Sequence, residues 1–111
     1  MLKKIECFLQ PFTVDDLKDY LIRAGVVGMS ITDVKGFGRR AAEGKTNSKD
    51  VEFVTRTKVE IVVDEESLDA VMALIRKHAD TGGPDAGKIF VLPVEEAVRI
   101  STRETGRNAI L

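Results

Sequence analysis

The 111-residue sequence has one cysteine, one histidine, no long apolar run and no surplus of charge of either sign, and each shortage closes off a class of protein. A lone Cys7 excludes an internal disulfide. A lone His78 leaves a histidine metal centre or a Ser-His-Asp arrangement without partners, and it reads as an exposed residue at a helix C-terminus. A bilayer span takes about 20 apolar residues in succession, and no stretch approaches that. Seventeen Lys and Arg stand against eighteen Asp and Glu, a formal charge of −1. No overall field therefore draws the chain to nucleic acid or to an anionic membrane, and any anion site has to be local. The opening MLKKIECFLQ is interrupted by Glu6 and carries too short an apolar run for a secretory signal, so the expected compartment is the cytoplasm. No internal repeat or low-complexity tract is visible.

What is present is patterned sequence for one domain, 43% hydrophobic, with a small core. Ile5, Cys7 and Leu9 alternate with Lys4, Glu6 and Phe8, which predicts a strand ended by Pro11. Thr13, three residues before Asp16, reads as a cap to a helix carrying Val14, Leu17, Leu21 and Ala24 and stopped by Gly25. A second strand is predicted from Met29 to about Lys35. The segment from Gly36 to about Thr55 is polar and nearly without large apolar residues, which predicts a long loop, mobile unless a partner orders it. Thr57 to Val63 alternates cleanly. Asp64, Glu65 and Glu66 then open a helix whose buried stripe is Leu68, Val71, Met72, Ile75 and Ala79. After TGGPDAG, Ile89 to Leu92 reads as a fourth strand, followed by a polar tail. The order βαββαβ is that of an α+β, ferredoxin-like sheet with both helices on one face. The other face carries Lys4, Glu6, Lys58 and Glu60 interleaved with Phe8 and Val62; apolar residues among the charges favour the inner wall of a symmetric oligomer over an ordinary wet surface.

Three segments carry candidate chemistry. Gly82, Gly87 and Lys88 fit GxxxxGK, where glycines let backbone N–H groups approach an anion and lysine adds charge. Ile89 stands where a magnesium-binding Ser or Thr belongs, and a strand follows where a helix should begin. A P-loop NTPase is therefore set aside, leaving an anion loop of another kind or a plain turn. Gly36, Phe37, Gly38, Arg39 and Arg40 form a second glycine-bracketed turn, with two guanidiniums suited to a carboxylate or phosphate or simply solvated. Arg99, Arg103 and Arg107 recur at helix-like spacing in a tail too rich in Thr and Gly for a firm helix. Nothing resembles a catalytic centre or a metal ligand set, and Asp64, Glu65 and Glu66 read as a helix start.

KKIECFLQPF, VKGFGR from Val34 to Arg39, KVEIVV from Lys58, TGGPDAGKIFV from Thr81 and VRI from Val98 together resemble the PII signal-transduction family over the full length. The resemblance implies a homotrimer with ATP, ADP or AMP in each cleft between subunits. It also implies a T-loop, about 37–55, that changes shape and controls docking to a protein such as a transporter or metabolic enzyme, with a B-loop at 81–88 and a C-terminal tail at 99–111. Carried over by position, Gly28, Met29, Ser30 and Arg99 meet the nucleotide from one subunit. Gly36, Phe37, Gly38, Arg39, Val62, Gly87 and Lys88 meet it from the other, with Arg103 as a further phosphate contact.

The departures from the family pattern are specific. Asp85 and Ala86 replace a Gly-Asp pair in the B-loop, and Ser101 stands where a second phosphate-binding arginine is usual. Arg40 replaces the glutamine that helps bind magnesium and 2-oxoglutarate, and a cation cannot ligate magnesium. Arg56 replaces a lysine that meets the 2-oxoglutarate carboxylate. The T-loop is about three residues shorter than usual and has no tyrosine, which excludes uridylylation there. The expected protein is thus a nitrogen- or carbon-metabolism regulator without the usual magnesium-2-oxoglutarate mode. The alternatives are a bicarbonate-responsive regulator using Arg40 and Arg56 and tied to carbon uptake or carboxysomes, a slow nucleotide phosphatase, and a scaffold with decayed sites.

Overall fold

Alternation on the first strand places Ile5, Cys7 and Leu9 on one side, and all three are buried. The computed structural model describes Met1–Leu111. Its elements are β1 (Leu2–Leu9), α1 (Val14–Arg23), β2 (Ser30–Gly36), α2 (Arg39–Ala42), β3 (Val54–Asp64), α3 (Leu68–Ala79), β4 (Gly87–Val94) and α4 (Arg107–Ile110). The four strands form one antiparallel sheet in the order β2-β3-β1-β4, the ferredoxin-like arrangement the element order predicts. Ile5 pairs with Ile61 and Cys7 with Val59 across the central strands. Against that row pack Val14, Leu17 and Leu21 of α1 and Val71, Ile75 and Ala79 of α3. Each large side chain so buried stabilises the fold by about 1.5–3 kcal/mol. Burial pushes the Cys7 thiol up to about 11, so it behaves as a small core residue and not as a nucleophile.

Several local expectations are corrected. Thr13 does not cap α1: its backbone is helical and its hydroxyl donates to Gln10 O at 2.8 Å. β3 starts at Val54, three residues before the expected Thr57, which shortens the connecting loop to 37–53. That loop is also not featureless, for it holds the single helical turn α2 and a 3-10 turn at Ser48–Asp50. β4 is longer than expected at both ends and includes Pro93, tolerated because only one side of this edge strand is paired. The tail, as its Thr and Gly content leads one to expect, is irregular at Arg99 and Arg103, and a single helical turn, α4, forms at Arg107–Ile110. His78 is half-buried: its ring stacks on Tyr20 at 3.6 Å between centroids and 11° between planes.

β2 is exposed on most of its length, because the two helices cover β3 and β1 and leave it projecting. The radius of gyration is 16.1 Å, with extents of 52 × 24 × 20 Å, against about 13 Å for a compact chain of this length. The open sheet face carries the predicted mixture. Glu6 and Glu60 are directly opposite one another, an arrangement that repels unless bridged. Lys4 bridges them, with Nζ 3.3 Å from Glu6 and 2.5 Å from Glu60, and Lys58 sits within 4 Å of both carboxylates at 3.9 and 3.8 Å. Phe8 meets Phe90 edge to face at 6.2 Å beside this network.

The Lys4 hydrogen bond holds the Glu60 carboxyl below its ordinary 4.5, and the same contact raises Lys4 above 10.5. A depressed carboxyl contributes stability above its unfolded value and loses it as pH falls through the folded one; a raised lysine loses its contribution only as pH rises through its folded value. Chemical denaturation should therefore show the wild type losing stability more steeply than Glu60→Gln between about pH 5 and pH 3. Parallel pH profiles for the two proteins would contradict the bridge.

Candidate functional site

Strand direction decides where the candidate residues go. β1 runs toward one end of the sheet, where β2 also finishes and β3 and β4 begin; this loop end gathers Gly36, Gly87, Lys88 and Arg56. In the register, Gly36 is opposite Val54, Val34 opposite Arg56, Leu9 opposite Gly87 and Phe8 opposite Lys88. Phe37, Gly38, Arg39 and Arg40 continue directly from Gly36. Phe37 is exposed and tilts against Phe53, with centroids 6.1 Å apart. Lys88, Arg39, Arg40 and Arg56 make no ion pair with any carboxylate. Arg56 donates from Nη1 to Thr55 O at 2.9 Å. This end is therefore a surface of uncommitted cations around glycine turns, which suits an anion.

The glycine loop between α3 and β4 is tied down at its start, middle and finish. Asp80 Oδ1 accepts from the Gly82 N–H at 2.8 Å. The Gln10 side chain donates to Asp85 O at 3.0 Å. Gly87, at φ +130, lies so close to β1 that a Cβ there would be 2.1 Å from Phe8 O. Behind the loop is a hollow of about 200 Å³ between α3 and β4, with Leu9, Ile75, Ala86 and Ile89 in its lining. A larger hollow of about 270 Å³ lies elsewhere, against Asp16, Tyr20 and His78, and holds none of the predicted site residues.

The opposite, tail end carries Gly28, Met29, Ser30, Val62, Arg99 and Arg103. Ser30 is opposite Glu60, and Val62 is opposite Lys4 on the open face. Met29 is partly buried and packs against the core. Arg99 donates from its backbone to Glu104 O at 2.8 Å, and its guanidinium lies 3.9 Å from the Glu104 carboxylate and contacts Leu111 O. Arg103 is the one non-glycine residue at positive φ, at 62°, a conformation that an ordinary residue adopts at a cost. Arg107 pairs with Asp64 at 3.4 Å and pins α4 to the end of β3.

Within one subunit these two groups do not meet. Val62 is eight positions along β3 from Val54, the partner of Gly36, which at about 3.3 Å per residue is roughly 26 Å, and Lys88, level with Lys58 through Phe8, is four positions from Val62, roughly 13 Å. Sequence reasoning missed Gln10, whose role appears only once the strand end and the loop are seen side by side.

A family model described as Nitrogen regulatory protein P-II matches residues 2–104. The chain belongs to the P-II family. It is 41% identical to the nitrogen regulatory protein P-II of Nostoc punctiforme over 112 residues, spanning 98% of this chain and 100% of that protein. It is 43% identical to the P-II protein of Rhizobium meliloti over 114 residues, again 98% of this chain and 100% of the relative. Among solved structures it superposes on Arabidopsis thaliana PII bound to citrate with a TM-score of 0.83 and 34% identity, covering 97% of this chain and 91% of that one. P-II proteins are signal-transduction regulators, and this chain takes its place among them by sequence and by fold.

Proposed function

We propose that three copies assemble so that the loop end of one subunit meets the tail end of the next and encloses an adenine nucleotide, ATP, ADP or AMP. Gly36, Phe37, Gly38, Arg39, Gly87 and Lys88 contribute from the first subunit, and Gly28, Met29, Ser30, Arg99 and Arg103 from the second. Val62, along β3 from Lys58, contributes from the first subunit as well. Occupancy biases the loop at 37–53 between forms, and one of them docks on a partner such as a transporter or enzyme of nitrogen or carbon metabolism in the cytoplasm. The observation that carries this reading is the segregation of cationic and glycine-rich residues to the two ends of one sheet: a site using both needs two chains. The open face agrees, since Phe90 and Leu92 are exposed on it beside Phe8 and the charge network.

The protein performs no chemistry in this reading; it binds and changes shape. Titration calorimetry with ATP, ADP and AMP, alongside sedimentation, is expected to show a trimer with one nucleotide per subunit. A monomer, or no heat with any of the three, would overturn it. Arg40, on α2 and free of a carboxylate partner, supports a second effector that is itself an anion and not a magnesium chelate. The same titration repeated with bicarbonate and with magnesium-2-oxoglutarate should show tighter nucleotide binding with the first and no change with the second.

A further inference from the structure

We infer that Gln10 is the positioning residue of the glycine loop, holding it at the height above β1 at which its backbone can meet an anion; the inference rests on the nucleotide reading above. Pro11 fixes the turn after β1, which ends at Leu9, one residue before Gln10. The Gln10 carbonyl then accepts two hydrogen bonds, from the Thr13 N–H at 3.0 Å and from the Thr13 hydroxyl at 2.8 Å. Thr13 itself is buried. The main chain at Gln10 is thus fixed from behind, which gives the side chain a firm base.

From that base the amide reaches across to Asp85 O at 3.0 Å, a side-chain hydrogen bond from outside the glycine loop to its middle. The other ties act at the ends: Asp80 on Gly82, and Gly87 against Phe8 O. Between them lie Gly83, Pro84, Asp85 and Ala86, joined by a single internal bond from the Ala86 N–H to Gly83 O at 3.3 Å. A loop of this kind presents its amides usefully only while its centre stays at a set distance from the strand floor. A side-chain N–H is suited to that task, because it satisfies the loop carbonyl directly.

The test separates the donor from mere bulk. Gln10→Met keeps length and removes the donor; Gln10→Lys keeps a donor. In calorimetry with ADP, Gln10→Met should bind about fivefold more weakly, the effect of one lost hydrogen bond, with a melting temperature close to wild type. Gln10→Lys should bind within about twofold of wild type or more tightly. Amide exchange of residues 82–87 in the ligand-free proteins should be faster in Gln10→Met and not in Gln10→Lys. Wild-type affinity and wild-type exchange in Gln10→Met overturn the inference while leaving the nucleotide reading intact, and equal loss in both variants overturns the donor role. If wild type binds no adenine nucleotide, the nucleotide reading fails, and unchanged exchange in Gln10→Met would then sink the positioning claim separately.

Discussion

Replacing Gly87 by alanine is expected to destabilise the protein by about 3 kcal/mol or more and to lower its melting temperature by over about 10 °C. Two separate penalties act at this position. The backbone is at φ +130, outside the range that a residue with a Cβ adopts without strain. The added Cβ would also stand 2.1 Å from Phe8 O and 3.2 Å from Phe8 C. Both obstructing atoms are main chain of a central strand, so relief requires parting β4 from β1 at the pair Leu9–Gly87. Gly82 is the internal control: it has φ +81 but nothing within 4 Å of an ideal Cβ, so Gly82→Ala should cost only about 1 kcal/mol. Differential scanning calorimetry of the two variants measures the difference directly. Equal melting temperatures would mean that the close approach to Phe8 is not there.

That glycine shows how far the sequence could be read. Gly87 and Lys88 stood out because GxxxxGK has a known physical use, and the structure supplies a separate reason for the glycine, in the packing of one strand on another. The alternation of β1 and β3 was legible wherever one face is buried, as at Ile5, Cys7, Val59 and Ile61, and the apolar stripes of α1 and α3 were legible for the same reason. The first residues of β3, Val54 to Arg56, were not. They pair with Val34 to Gly36 of β2 in the projecting part of the hairpin, where neither face is covered and no alternation is imposed. Thr13 was misread because a threonine before an acidic residue suits a cap, and local sequence cannot tell a hydroxyl that points forward to helix N–H groups from one that points back to Gln10 O. The stack of His78 on Tyr20 was out of reach too, since it joins α1 to α3 across 58 positions in sequence.

The candidate site was legible as a set of residues and not as a place. Each glycine turn and cation could be named, but which of them share a neighbourhood follows from strand direction and register. Those put Lys88 and Arg40 at one end and Arg99 at the other. The same register explains why the open face mixes charge with Phe8, Phe90 and Leu92. Lys4 and Lys58 neutralise the opposed Glu6 and Glu60 laterally, so these four residues carry little net charge between them, and the aromatic and aliphatic members beside them leave an exposed apolar patch.

If each site draws Lys88 from one subunit and Arg99 from the next, neither residue's loss can be repaired within its own homotrimer, yet two defective chains should repair one another. Lys88→Ala and Arg99→Ala are each expected to weaken ATP binding by roughly a hundredfold, since each removes a cation that meets phosphate, worth about 1.5–3 kcal/mol per charged hydrogen bond. Neither residue is buried in the core, so both variants should fold. In a trimer containing both kinds of chain, going round the ring meets one junction at which the intact Lys88 of one chain faces the intact Arg99 of the other. About one site in three should then bind with wild-type affinity. Refolding the two variants together, isolating mixed trimers by differential tags and titrating them with ATP reads this as a restored tight phase of about one-third stoichiometry. A site built within one chain gives a different result, because every chain in the mixture still lacks one of its two cations. Mixed trimers with no tight phase would therefore place both residues in the same subunit's site or remove one of them from it, whereas recovery of that phase can arise only from a cleft shared between neighbours.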